Sequence, residues 1–163
     1  MFLRDICLYP QAIFIMTSRK KLLHNLKLIL NTEISFVDSP LKLPSSKGTY
    51  ILLMEAYDEK LITVGKIGEI SIMPGIYLYV GSAFGAGGLK SRVGRHFKCE
   101  KKLKWHIDYL RKELELFGVV VSTLPEKFEC GWANVLFERN AFISEPEFGS
   151  SDCKCLSHLF FFK

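Results

Sequence analysis

Hydrophobic and polar positions change period several times along these 163 residues, and each change marks an element. Leu22, Leu23, Leu26, Ile29 and Leu30 recur at helical spacing, with Arg19, Lys20, Lys21 and Lys27 elsewhere on the wheel. This predicts an amphipathic helix capped by Thr17 or Ser18 that packs as a lid on the core. The polar run from Asp38-Ser39-Pro40 to Pro44-Ser45-Ser46 reads as a connector, and Gly48 opens the sheet. Three β-like stretches follow, 48–56, 60–64 and 67–72, punctuated by Asp58-Glu59 and Gly65-Lys66. Pro74-Gly75 then turns into an apolar, aromatic strand that ends at Gly81-Ser82. Strands this closely spaced predict an antiparallel meander.

Beyond Gly85, Gly87 and Gly88 the pattern turns helical, with Lys90, Arg92, Arg95 and His96 in the first helix and residues 105–116 in a second. Residues 118–123 read as a buried strand. Pro125-Glu126 starts a last helix with Phe128, Trp132, Val135 and Leu136 facing the core, and a loop runs from Glu145 to an apolar tail at 159–162, expected to dock as an edge strand. The fold class is therefore α+β: a small central antiparallel sheet flanked by helices, with an added N-terminal helix. Residues 1–46 form the extension and helix, and residues 47–163 form the main domain.

Composition changes this picture little, but charge does. One domain of this size, nearly half apolar, has ample material for one core. The net charge is +5, unevenly placed: between Lys90 and Lys104 seven Lys and Arg face Glu100 alone, whereas eight acids between Glu113 and Asp152 face Lys127 and Arg139. A basic block beside a glycine-rich loop is the electrostatic footprint of nucleic acid, and a solvated helix-loop-helix is the plainer alternative. Five cysteines without a paired framework suit a reducing cytoplasm, with Cys7, Cys99 and Cys130 read as small apolar residues. The hydrophobic opening is interrupted by Arg4, Asp5, Pro10 and Gln11, which argues against a signal peptide or a membrane span.

The stretch 75–96 carries the candidate chemistry. Glycines permit close backbone approach, a helix N-terminus offers free N–H groups, and arginine supplies fixed charge for phosphate. Arg92 and His96 share a helix face, and Tyr77 and Tyr79 share a strand face. A phenol, a guanidinium and an imidazole can therefore converge.

Tyr79-Val80-Gly81, followed by Leu89-Lys90-Ser91-Arg92 and His96, resembles the second half of the GIY-YIG nuclease signature, and Gly48-Thr49-Tyr50 resembles the first half. The separation of Tyr50 from Tyr79 exceeds the family's usual dozen or so residues, so an extra hairpin must intervene. A literal Gly75-Ile76-Tyr77 stands too close to Tyr79 to be a separate strand. Tyr79 to Ala83, Trp105-His106-Ile107-Asp108-Tyr109-Leu110 and the tail from Phe148 to Phe160 resemble a little-characterised microbial branch, the Uri-superfamily endonucleases. The resemblance spans residues 48–160. It implies a phosphodiester hydrolase acting on nucleic acid, expected to be DNA, in DNA repair and beside a repair glycosylase/lyase in some relatives.

The resemblance implies Tyr50 as general base or water-positioner, Tyr79 beside it, Arg92 on the scissile phosphate and His96 as proton-transfer or phosphate partner. Tyrosine is a poor base at neutral pH, so Arg92 or a metal must lower its pKa. It further implies Mg2+ or Mn2+ held by Glu129, with Gly131 where the narrower family tends to show a second glutamate. Lys90, Arg95, Lys98, Lys101, Lys102, Lys104 and His106 are the expected nucleic-acid contacts, and Asp108 is expected to orient Arg92 or another base. Cys153-x-Cys155-x-x-His158 offers soft ligands for zinc, completed by His106 or His96, although the spacing is not the usual Cys-x-x-Cys pair. A non-catalytic nucleic-acid-binding module on the same scaffold is the rival reading.

Overall fold

The computed structural model describes residues 10–98, 100–139 and 142–162. The chain divides into two compact units, one reaching Thr32 and one from Glu33 onward. In the first, α1 runs Pro10–Ile29. Thr17 and Ser18 therefore lie inside the helix and do not cap it. Proline suits the first helical position, where its missing N–H would have no intrahelical acceptor. Met1 to Tyr9, and with them Cys7 and most of the interrupted hydrophobic opening, lie outside the described residues. Among those described, no helix is long and apolar enough to cross a membrane.

The second unit is α+β. Its strands are β1 (Ser35–Val37), β2 (Thr49–Ala56), β3 (Lys60–Val64), β4 (Gly68–Ile72), β5 (Gly75–Ser82), β6 (Glu115–Ser122), β7 (Phe142–Glu145) and β8 (Leu159–Phe162). The helices are α2 (Gly88–Phe97), α3 (His106–Glu113) and α4 (Glu129–Phe137), with a 3-10 turn at Pro40–Lys42. Six strands form one antiparallel sheet in the order β1-β6-β2-β5-β8-β7, and β3 and β4 form a separate two-stranded hairpin. That hairpin is the insertion expected between the two tyrosines. It leaves β2 and β5 directly paired, with Tyr50 opposite Gly81 and Leu52 opposite Tyr79.

Every residue of β2 is buried, as suits a strand held between β6 and β5 in the middle of the sheet. Tyr50, Leu52 and Met54 join Leu89, Val93, Ile107 and Leu110 in one core beneath α2 and α3. On the opposite face α4, with Trp132, Ala133 and Leu136 buried, packs against β5 and β7.

Four boundaries differ from the sequence expectation. α3 stops at Glu113 and β6 begins at Glu115, so residues read as a helical end are strand. α4 begins at Glu129, after Pro125-Glu126. Just before the connector, residues 35–37 form β1, a strand the sequence pattern did not predict, whose Phe36 ring lies where a β-carbon on Gly118 would stand, 2.3 Å away. The tail β8 is interior: it pairs with β5 on one side and β7 on the other, which makes β7 the edge. Leu159, Phe160 and Phe162 are correspondingly buried.

Candidate active site and metal centre

A cavity of about 360 Å³ opens at the end of the sheet, lined among others by Tyr50, Tyr79, Arg92, His96, Trp105 and Glu129. Strand pairing explains the first two. Tyr50 is opposite Gly81 and Tyr79 opposite Leu52, so the phenols lie diagonally on one face of adjacent strands. Gly81 is required there, since a β-carbon would stand 2.5 Å from the Tyr50 ring and hydroxyl. Tyr77, two residues before Tyr79, is engaged elsewhere: its hydroxyl accepts from the Met73 N–H at 2.8 Å.

Tyr50 is fully enclosed, and its hydroxyl meets Nε2 of His96 at 3.1 Å. Burial pushes the Tyr50 phenol up to about 12, although the Arg92 guanidinium beside it pulls the other way. Of the two agents expected to lower this pKa, Arg92 or a metal, the arginine acts in the right direction but is outweighed by desolvation. Burial, and then Tyr50 itself, push Tyr79 up as well. His96 is held down to about 3, first by burial and then by the Lys101 charge, so its ring is neutral.

Arg92 reaches the cavity from the exposed side of α2, its Cζ 4.0 Å from the centroid of the Trp105 ring. Arg95 stacks on the same indole at 4.2 Å. Trp105 is a platform the sequence reading missed, although an aromatic residue closing a basic run was the available signal. Asp108 does not orient Arg92. Its carboxylate accepts two hydrogen bonds from Arg95, at 2.7 and 2.8 Å, another from the Trp105 N–H, and an ion pair with Lys101 at 3.0 Å. Burial alone would raise that carboxyl, yet Arg95, the Trp105 and Lys104 N–H groups and Lys101 hold it well below the usual range. Arg95 and Lys101 are accordingly committed to an internal network, whereas Lys90, Lys98, Lys102 and Lys104 are exposed. His106 lines the cavity beside the Phe148 ring.

The first turn of α2 is not free to bind an anion. The N–H of Leu89 donates to Ser46 and that of Lys90 to Pro44, each at 2.9 Å. Gly88, with φ of 54°, is needed for that packing, because a β-carbon would meet the Ser45 and Ser46 carbonyls at 2.4 and 2.3 Å. The glycine-rich loop therefore docks the helix on the 44–46 segment.

Glu129 enters from the opposite wall. The Phe128 N–H donates to Thr49 Oγ1 at 3.1 Å, which ties the start of α4 to β2. Glu129 Oε2 accepts from the Ser82 hydroxyl at 2.7 Å and lies 3.5 Å from Lys127 Nζ. Asp152 also lines the cavity. Glu129, Asp152 and Ser82 all present oxygen atoms to the cavity, the ligand type that a hard cation such as magnesium takes. Gly131 is exposed and does not line the cavity.

Next to this wall lies a second cluster. The ligand atoms of Cys130, Cys153, Cys155 and His158 all stand within 4.8 Å of one another, a Cys3His group that could hold a metal ion. The fourth member is Cys130, not His106 or His96, so its reading as an ordinary apolar residue is corrected. Sequence spacing could not reveal it, because more than twenty residues separate it from Cys153. Cys99 lies outside the described residues.

Comparison with known proteins returned one family. No curated protein and no solved structure matches the chain. Residues 49–163 match the model of the family described as "Domain of unknown function DUF123". That span begins at the first strand of the tyrosine pair and includes both phenols, Arg92, His96, Glu129 and all four members of the Cys3His group. The chain therefore belongs to the DUF123 family.

Proposed function

We propose that this protein is a GIY-YIG-type endonuclease of the Uri-superfamily branch, hydrolysing phosphodiester bonds in nucleic acid, with DNA the preferred substrate. The observation that carries the reading is convergence: two phenols from paired strands, an exposed guanidinium and a neutral imidazole from α2, and a carboxylate from α4 surround one cavity. Arg92, over the Trp105 ring, holds the scissile phosphate and neutralises its oxygens, because guanidinium forms paired hydrogen bonds to phosphate. The hydroxyls of Tyr50 and Tyr79 orient the attacking water. His96 Nε2 fixes the Tyr50 hydroxyl, and because both groups stay neutral no charge is buried between them. Glu129, with Asp152 and Ser82, would hold magnesium or manganese. When bound, such an ion supplies positive charge against the developing oxyanions. With its phenol pushed up to about 12, Tyr50 acts by positioning rather than as a free phenolate at neutral pH.

The same raised phenol favours the rival, a module that binds nucleic acid and does not cut it. Nicking of plasmid and branched DNA in magnesium or manganese separates the two. Arg92→Ala and Glu129→Ala should each lower cutting by about 10²–10³-fold, the scale of removing one electrostatic stabiliser from a transition state. Arg92→Ala should also weaken DNA binding, while Glu129→Ala leaves it nearly intact. Binding by the wild type with no metal-dependent cutting on any of these substrates would establish the rival. We place the reaction in DNA repair in a reducing cytoplasm, where Cys130, Cys153 and Cys155 stay as thiols, alongside a base-excising partner.

A further inference from the structure

We propose that Cys130, Cys153, Cys155 and His158 bind one zinc ion, and that this centre clamps the loop between β7 and β8 onto α4 and steers Glu129 through His158. Three thiols and one imidazole are a soft donor set, and their ligand atoms already stand within 4.8 Å of one another. Tetrahedral zinc, with bonds of about 2.0–2.3 Å, needs ligand atoms roughly 3.5–3.8 Å apart, so small side-chain movements close the site. Cys153 Sγ and His158 Nε2 are already at 3.3 Å.

The second observation concerns the other ring nitrogen. His158 is 2% exposed, and its buried Nδ1 has no hydrogen-bond partner in the structure. It lies 3.8 Å from Glu129 Oε1. A histidine that ligates metal through Nε2 carries its hydrogen on Nδ1 and donates it to a nearby carboxylate, which fixes the ring and raises its basicity. Here the carboxylate is in place, slightly beyond hydrogen-bond reach, and it belongs to the residue preceding Cys130. One turn of α4 thus offers a thiol to the zinc and a carboxylate to its histidine. The two oxygens of Glu129 divide their tasks, Oε1 toward His158 and Oε2 toward Ser82 and the cavity.

The loop itself is shaped for this clamp. The Glu147 N–H donates to Leu156 and the His158 N–H to Phe148, each at 2.8 Å, while the Phe148 ring is fully buried. On one side of this closed loop Cys153 and Cys155 face the cluster. On the other, Gly149, Ser151 and Asp152 line the cavity. A metal that fastens the cysteines to α4 therefore also sets the position of Asp152.

The proposal goes beyond hydrolysis, and its test does not depend on cutting. Full-length protein purified without chelator should carry about one zinc per chain by elemental analysis. Cys130→Ser and Cys155→Ser should lose that zinc, and His158→Cys, which keeps four soft ligands, should retain it and take up cobalt with the spectrum of a four-thiolate site. Glu129→Ala should keep the zinc but bind it about 10- to 100-fold more weakly in competition with a chromophoric chelator, the usual cost of removing a ligand's carboxylate partner. Wild-type protein without zinc after incubation with zinc chloride, or full zinc retention in Cys130→Ser, would overturn the centre. Unchanged zinc affinity in Glu129→Ala would overturn the link to the cavity, even where that variant no longer nicks DNA. Should the serine variants fail to fold, wild-type stoichiometry and Glu129→Ala still decide.

Discussion

Tyr50 lies across Gly81, and the fit leaves no room for a methyl group: a β-carbon would stand 2.5 Å from the phenol. Gly81→Ala should therefore push the ring out of its pocket and destabilise the fold by about 1–3 kcal/mol, as overpacking of a filled core does. Urea unfolding checks this, and a loss below about 0.5 kcal/mol would mean the ring can move aside freely. His96 and Asp108 set the response to acid. The folded pKa of His96, about 3, lies below that of the unfolded imidazole near 6.5, so the unfolded chain takes up the proton first. Its contribution is complete above about pH 6.5 and is lost as pH falls toward 3. Asp108, depressed by its cations, contributes above the unfolded carboxyl value of about 3.9 and loses that contribution below it. Denaturant unfolding from neutral to acid pH should show stability falling in two stages. His96→Gln should flatten the first. Asp108→Asn should remove the second and cost about 3–5 kcal/mol at neutral pH, because Arg95 and Lys101 are left without their anion.

At the scale of elements, β8 is the piece whose loss would be most damaging. It lies between β5 and β7, with Phe160 fully buried. Phe160→Ala should cost about 3–5 kcal/mol, the range for truncating an enclosed aromatic ring. Ending the chain at Ser157 should do more, since it bares the edge of β5 and removes His158, and the product should aggregate during expression. A truncated chain with native unfolding behaviour would show that β8 is dispensable. The start of α2 carries the opposite lesson. Glycines before a basic helix suggested an open anion site, yet carbonyls of residues 44 and 46 take its first N–H groups. Under the proposed function, the phosphate would be held by the Arg92 side chain instead. Pattern alone could not distinguish these outcomes, because glycine permits close approach of backbone as readily as of phosphate.

For the whole molecule the charge asymmetry is real, but fewer cations reach solvent than the basic block holds. Arg95 and Lys101 belong to the Asp108 network, whereas Lys90, Lys98, Lys102 and Lys104 are exposed. If the surface binds DNA, replacing Lys98, Lys102 or Lys104 by Gln should each weaken binding across sequences and reduce the slope of log affinity against log salt by about 1. Lys101→Gln should instead lower thermal stability, with little change in the slope. Fluorescence anisotropy at several salt concentrations, beside thermal melts, reads both. An equal slope change for Lys101 and Lys102 would contradict the assignment of Lys101 to the interior.

The period of apolar residues was enough to determine the α+β class, the tyrosine strands, the inserted hairpin and the basic helix after the glycines, because burial of one face imposes its repeat on the chain whatever lies opposite. The glycine-rich stretch 75–96 drew attention to Tyr79, Arg92 and His96, and the resemblance to the GIY-YIG signature added Tyr50 and Glu129. What neither could contain was partnership across space. That Asp108 takes Arg95 rather than Arg92, that Trp105 carries Arg92, that burial outweighs the arginine at Tyr50, and that Cys130 completes a group begun at Cys153 all depend on distances between segments far apart in the chain. Those distances exist only once the sheet has chosen its strand order, since the free energy of an ion pair or a metal site belongs to the assembled neighbourhood and not to any one residue in it.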